Sequence, residues 1–279
     1  MHEPARSYER ILVPVDFSPA SAASLAYALS FGSAFGARVD ALHVWRTNTQ
    51  TPMHVARERV KQSLAEFLAP LAAPGGSELH TRTDYGDPYL TILQLAQLSS
   101  YDLLVLIAPR PGRSRPNHLG ASLLAAARVP VLLIPPAWLE VRREPDLRRH
   151  LRRVLLPAAF GGRSLRAVER ALALARAFGA KLELWSVDDP SAAADQARAL
   201  SHVEASGRAV AEGIERREGR GELAQALAAR SQEGGYDLLL TVERAAGLAG
   251  GATESITSRL LGLQRCPLLC ERVSGAVAR

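Results

Sequence analysis

The sequence predicts an α/β protein built on a parallel sheet, and it predicts that protein twice. Short apolar runs of strand length alternate with longer amphipathic ones, and such an alternation requires right-handed crossovers and parallel strands. The first run, Ile11-Leu12-Val13-Pro14-Val15, is too short for a helix and is closed by turn residues, as a strand buried on both faces is. The punctuating residues of the first half then recur, in the same order, in the second.

Asp16 closes the first strand. Ser18 has the residue type of an N-cap and Pro19 that of the first helical position, so the chain turns from strand into helix there. The spacing predicts a helix over 18–35, with Leu25, Ala28, Leu29 and Gly32 on one face and Gly36 to end it. A second buried strand is expected over 38–45, and a helix over 55–71, where Val60, Leu64, Phe67, Leu68 and Leu71 recur at helical spacing. The stretch 73–77, with its Pro-Gly-Gly, ends that helix, and 78–85 alternates as a strand does. Asp87 and Pro88 open a further helix through Leu98. Strands over 103–108 and 131–134, separated by a short helix over 119–128, complete the unit.

Laying 11–45 over 154–188 without a gap places Leu12 on Leu155, Pro14 on Pro157, Phe17 on Phe160 and Ser21 on Ser164. The block Ala34-Phe35-Gly36-Ala37 falls on Ala177-Phe178-Gly179-Ala180. Tyr101-Asp102-Leu103-Leu104 recurs as Tyr236-Asp237-Leu238-Leu239, and Val129-Pro130-Val131-Leu132-Leu133 as Cys266-Pro267-Leu268-Leu269-Cys270. Apolar patterning alone would not repeat a Gly, two Pro and a Tyr-Asp in one order. Two copies of one domain are therefore expected, over 1–138 and 153–279, joined by a charge-rich linker at 139–152. The third strand of the second copy, sought over 213–219, is rich in Arg and Glu, and a short, frayed or edge strand is expected there.

With 47% hydrophobic and 22% charged residues the composition is that of a globular protein. No stretch approaches the apolar length that crosses a bilayer, and nothing at the N-terminus reads as a signal peptide, so a cytoplasmic protein is expected. The net charge of +6 raises nucleic acid as a partner, but the positive charge is scattered. The densest run, Arg142 to Arg153, lies in the linker without interleaved aromatics, and a solvated linker is the better reading. Neither a nucleic-acid nor a membrane partner is expected. Cys266 and Cys270 have no matching Cys/His pair and read as reduced core thiols, not as a zinc site or a disulfide framework. With no Gly-x-x-x-x-Gly-Lys loop, no paired metal ligands and no nucleophile elbow, no catalytic residue and no metal site is assigned.

Open α/β sheets bind small ligands beyond the carboxyl ends of their strands, where strand order reverses, and Asp16 stands at such an end. Its carboxylate can accept from a base or a ribose; it can equally satisfy loop amides. His43 is the one acid-base candidate nearby, and a hydrogen bond to backbone is its simpler role.

A strand ending hydrophobic-Pro-x-Asp-x-Ser, a helix closing on Phe-Gly-Ala, a strand ending Leu-His-Val, then Gly-Asp-Pro and Tyr-Asp-Leu-Leu-Val, resembles the universal stress protein family in order and spacing. The resemblance covers nearly the whole chain. It implies two tandem flavodoxin-like domains about a pseudo-two-fold axis and a non-catalytic, stress-related binding or regulatory role. In some members it implies an adenine-nucleotide site, formed by the first strand's Asp and a glycine motif after the fourth strand. Here the three glycine positions fall on Ile107, Arg110 and Gly120, and the following Ser/Thr position on Ala121. Lost glycines no longer let the backbone approach a phosphate, which leaves Arg110, Arg113 and Arg115 as substitute charges.

By that pattern, one ATP or other adenine nucleotide in the first copy would be held by Pro14, Asp16, Phe17, Ser18, Val44, Arg110, Arg113, Gly120 and Ser122, the Gly120 helix start taking the phosphates. In the second copy the Asp position is Ala159 and the glycine positions fall near Val242, Ala245 and Glu254, so a structural half is expected. A scaffold that binds no nucleotide and a weak nucleotide hydrolase remain alternatives. The resemblance also implies pairing of last strands, 131–134 with 268–273, which a tandem chain can satisfy internally. A homodimer of tandem chains through another face, and a protein partner not named by the sequence, complete the expectations.

Overall fold

The structure, a computed structural model, describes residues 8–46, 51–71, 77–98, 101–110, 119–141, 147–158, 165–187, 194, 197–198, 201, 214–219, 223–233, 235–244, 256–261, 263 and 265–273. The first copy runs β1 (Arg10–Pro14), α1 (Pro19–Ser33), β2 (Arg38–Trp45), α2 (Met53–Leu68), β3 (Glu78–Tyr85), α3 (Pro88–Leu98), β4 (Leu103–Ile107), α4 (Leu119–Ala126) and β5 (Val131–Ile134). Two short helices follow, α5 (Pro136–Val141) and α6 (Leu147–His150). The second copy then runs β6 (Arg153–Pro157), α7 (Leu165–Phe178), β7 (Lys181–Val187), β8 (Ile214–Gly219), α8 (Leu223–Glu233), β9 (Leu238–Arg244), α9 (Ile256–Leu260) and β10 (Leu268–Val273).

All these strands join one sheet, in the order β3-β2-β1-β4-β5-β10-β9-β6-β7-β8. Neighbours are parallel except at the centre, where β5 and β10 run antiparallel with Leu132 opposite Leu269. Those two leucines are equivalent in the repeat, so the pseudo-two-fold axis passes between them and each copy covers the other's inner strand edge. Alternate strand residues feed two apolar layers, Ile11 and Val13 on one face and Leu12 on the other, and each layer continues across the junction into the second copy. On the first face Phe31 and Phe35 of the first copy meet Phe178 of the second, with centroids 5.7 and 6.1 Å apart.

The repeated Tyr-Asp pair has a structural role in both copies. Asp102 Oδ2 accepts the backbone N–H groups of Glu9 and Arg10 at 2.9 and 2.8 Å, and Asp237 Oδ2 those of Arg152 and Arg153 at 2.8 and 3.0 Å. The Tyr101 hydroxyl donates to buried Asp40 at 2.5 Å, and Arg38 Nε donates to the same carboxylate at 2.6 Å. At the matching place Glu183 receives Arg230 at 3.0 Å and Arg153 at 3.4 Å.

The linker departs from expectation. Leu147 and Leu151 are 5% and 1% exposed, Trp138 packs against both apolar layers, and the Leu147 N–H donates to Ser30 Oγ at 2.7 Å. Apolar residues threaded among the arginines fasten this segment onto α1, where charge density alone suggested solvation. The arginine-rich β8 does form, at the sheet edge as expected, and pairs with β7 along its whole length.

Candidate functional site

Strand order reverses at β1, with β2 on one side and β4 on the other. A cleft of about 520 Å³ opens at the carboxyl end of β1, within the range of small-ligand sites. Its shape begins with the loop from β1 into α1. Phe17 takes a φ of 63°, a conformation that costs about 1–3 kcal/mol for a bulky residue unless the surroundings enforce it. They do: Phe17 stacks on His43, centroids 4.1 Å apart and 23° from coplanar, and meets Phe67 edge-on at 5.4 Å. His43 Nδ1 lies 2.8 Å from the Val15 carbonyl oxygen, which can only accept, so that nitrogen carries the proton. The imidazole is a pin for the loop, as its simpler reading had it.

The turn at Phe17 separates its neighbours. Asp16 and Ser18 line the cleft; Phe17 does not, and packs behind it. Ser18 is the N-cap of α1, its Oγ accepting the Ser21 N–H at 3.1 Å, while its own hydroxyl and N–H donate to Asp16 Oδ1 at 2.6 and 3.1 Å. Burial pushes the Asp16 carboxyl up, but the Ser18 hydroxyl and N–H, with Ser21, hold it below the ordinary carboxylate value. Asp16 is therefore an ionised acceptor. Oδ1 satisfies the loop through both Ser18 donors, and the residue borders the cleft.

Of the nine residues expected at a nucleotide, Pro14, Asp16, Ser18, Val44, Arg110 and Gly120 line the cleft. Phe17 and Ser122 are not among the lining residues: Phe17, with its positive φ, packs behind the cleft on His43 and Phe67, and Ser122 is the fourth residue of α4. Arg113, like Arg115, lies outside the described residues. Arg110 is not a free charge, since its Nη2 donates to Glu140 Oε1 of α5 at 2.9 Å. The sequence reading missed the apolar walls, Ile92 of α3, Leu106 of β4 and Pro136 of α5. Ile92 was findable on the inner face of a predicted helix; Pro136 was not, because nothing in a linker-like segment announces that it folds back.

In the second copy a side chain of the same copy meets the corresponding helix start. The helix starts Leu119 and Ile256 correspond, as do the strand starts Val131 and Leu268, so Thr257 stands where Gly120 stands. The Thr257 N–H donates to Glu243 Oε1 at 2.9 Å, which puts a carboxylate at the start of this helix. The Thr257 hydroxyl lies 2.9 Å from that of Thr241 and 3.7 Å from Cys270 Sγ, whose thiol burial pushes up to about 12. Glu254, which the sequence placed near the last glycine position, lies with Ala159 and Ala245 outside the described residues; among the described residues the carboxylate at this helix start is Glu243, at the end of β9.

The universal stress protein family model matches residues 7–135 and again 150–272. The chain belongs to the universal stress protein family. Among solved structures, a universal stress protein from Archaeoglobus fulgidus DSM 4304 is similar with a TM-score of 0.70 at 17% identity, over 94% of this chain and 98% of that one. A protein of unknown function from Pseudomonas aeruginosa PAO1 gives 0.61 at 16%, over 95% and 93%. Identities this low establish the fold alone, which is that of a tandem universal stress protein. A search of curated proteins found no match. Among the described residues of this universal stress protein, no helix is long and apolar enough to cross a membrane.

Proposed function

We propose that this universal stress protein binds one adenine nucleotide per chain, ATP or a close relative, in the first-copy cleft, and acts by binding without catalysis as a cytoplasmic stress-response regulator. The observation that carries the reading is an ionised Asp16 that lines, together with the first turn of α4, a cleft at the reversal of strand order. Asp16 Oδ2 would accept from the ribose or base, and the first-turn amides of α4 would take the phosphates. Glu243 meets the corresponding helix start in the second copy, which supports a single site.

A nucleotide-free scaffold is the second reading, favoured by Ile107 at a glycine position and by the pairing of Arg110 with Glu140. Titration calorimetry with ATP separates the two. One site per chain is expected; two sites, or no heat at millimolar ATP, would overturn the proposal. Native mass spectrometry of protein purified from cells would read any retained nucleotide together with the expected homodimer of tandem chains.

A further inference from the structure

The helix that borders the cleft does not hold itself. α4 has 8 residues, too few for a stable helix in water, and no basic residue in its last turn, where a cation would offset the negative end of the helix dipole. The second copy supplies that cation. Arg272 of β10, its side chain 3% exposed, donates through Nη2 to the Leu124 carbonyl in the last turn of α4. Its Nη1 lies 3.3 Å from Glu243 Oε2 on the neighbouring strand β9, where the two residues are register partners. The other oxygen of Glu243 takes the Thr257 N–H.

A guanidinium so deeply buried needs a counter-charge, and the carboxylate at the start of the second copy's α9 provides it. The matching residues of the first copy are Ala108 and Pro135, which can form no such pair. The brace therefore runs one way, from the second copy to the first.

We infer that Glu243 and Arg272 are positioning residues for the first-copy cleft: Glu243 holds Arg272, Arg272 fastens the carboxyl end of α4, and this fixes the first turn, with Gly120, at the cleft wall. The brace stands on geometry; only its effect on ATP rests on the function proposed above. The second copy has become the support of the other.

The test is hydrogen exchange of the amides of 119–127 in the full-length protein, with α3 and α7 as internal controls. Arg272→Met should speed exchange in α4 by about tenfold or more, with the controls unchanged. Glu243→Gln keeps an acceptor for Thr257 but removes the charge, and should give a smaller rise in α4; it carries the test if Arg272→Met does not fold. Arg272→Lys, which retains a charge and a donor, should restore most of the protection. Unchanged α4 exchange in the folded variants, or a rise spread equally over β5, β10 and the controls, would overturn the inference. ATP affinity should fall about tenfold in Arg272→Met. If α4 responds as expected while ATP fails to bind even the unmodified protein, the nucleotide reading falls and the brace stands.

Discussion

Leu132 and Leu269 face one another across the only antiparallel pairing in the described sheet; both are fully buried, and they are the same position of the repeat. A contact between equivalent positions lies on the symmetry axis by necessity. Internal duplication has thus produced within one chain the self-complementary arrangement of an isologous dimer.

This junction hides two strand edges, so cutting the chain should expose one. A fragment of residues 1–140 leaves β5 with an open apolar edge and should dimerise or aggregate. A stable monomer by light scattering would mean that the junction is not needed to protect that edge. In the full chain, Leu269→Ala should cost about 2–5 kcal/mol in urea unfolding.

Asp16→Ala should weaken ATP by about 1–3 kcal/mol, roughly five- to two-hundredfold, through loss of the acceptor for ribose or base. It should also cost about 1 kcal/mol of stability, because the Ser18 hydroxyl and N–H lose their partner while the N-cap to Ser21 survives. Calorimetry and urea midpoints read the two effects separately. An unaltered ATP affinity would confine Asp16 to the loop.

Asp40 makes stability depend on acid pH. Burial pushes its carboxyl up, but Arg38, Tyr101 and Arg10 outweigh that and hold it below the ordinary value of 3.8. A carboxyl with a lower folded than unfolded value binds its proton more tightly when unfolded, so its contribution is complete above 3.8 and is lost as pH falls through the lower folded value. Urea midpoints should drop in that window, and Asp40→Asn should differ from the parent at neutral pH by an amount that shrinks with acid. A difference that stays constant would assign the loss to other carboxylates.

Arg110 and Glu140 form an exposed pair, worth about 0.2–1 kcal/mol, that a bound phosphate must displace. Glu140→Gln should therefore strengthen ATP by about two- to fivefold at low salt and leave adenosine unchanged. Arg110→Ala should weaken ATP more than adenosine. Equal losses for the two ligands would make this arginine structural, and the same comparison for Arg113→Ala would assign that residue.

Much of the fold was legible because its determinants are local. β2, β3, α3 and β5 begin and end where apolar period, Asp87-Pro88 and the glycines place them. Gly36 and Gly179, at φ of 64° and 63°, turn the chain at matching points of the two copies. The Tyr-Asp repeat marked the duplication, but its work, clamping the entry of β1 and β6, depends on partners far away in sequence. α5 and α6 went unread for a related reason: Trp138, Leu147 and Leu151 are too widely spaced to form a period and are gathered by surfaces distant in sequence, that of α1 among them.

By itself, then, the sequence determined an α/β fold, its duplication, and an Asp16 at the end of the first strand with no counterpart in the second copy. Short-range spacing and residue type suffice for those. Tertiary structure alone decided which atoms share the cleft. One positive φ turns Phe17 away and leaves Asp16 and Ser18 facing in, Arg110 finds Glu140 at the start of the linker, and Glu243 reaches the Thr257 amide on another element. Each depends on a direction in space set by packing between elements, and the order of residues along a chain carries no such direction.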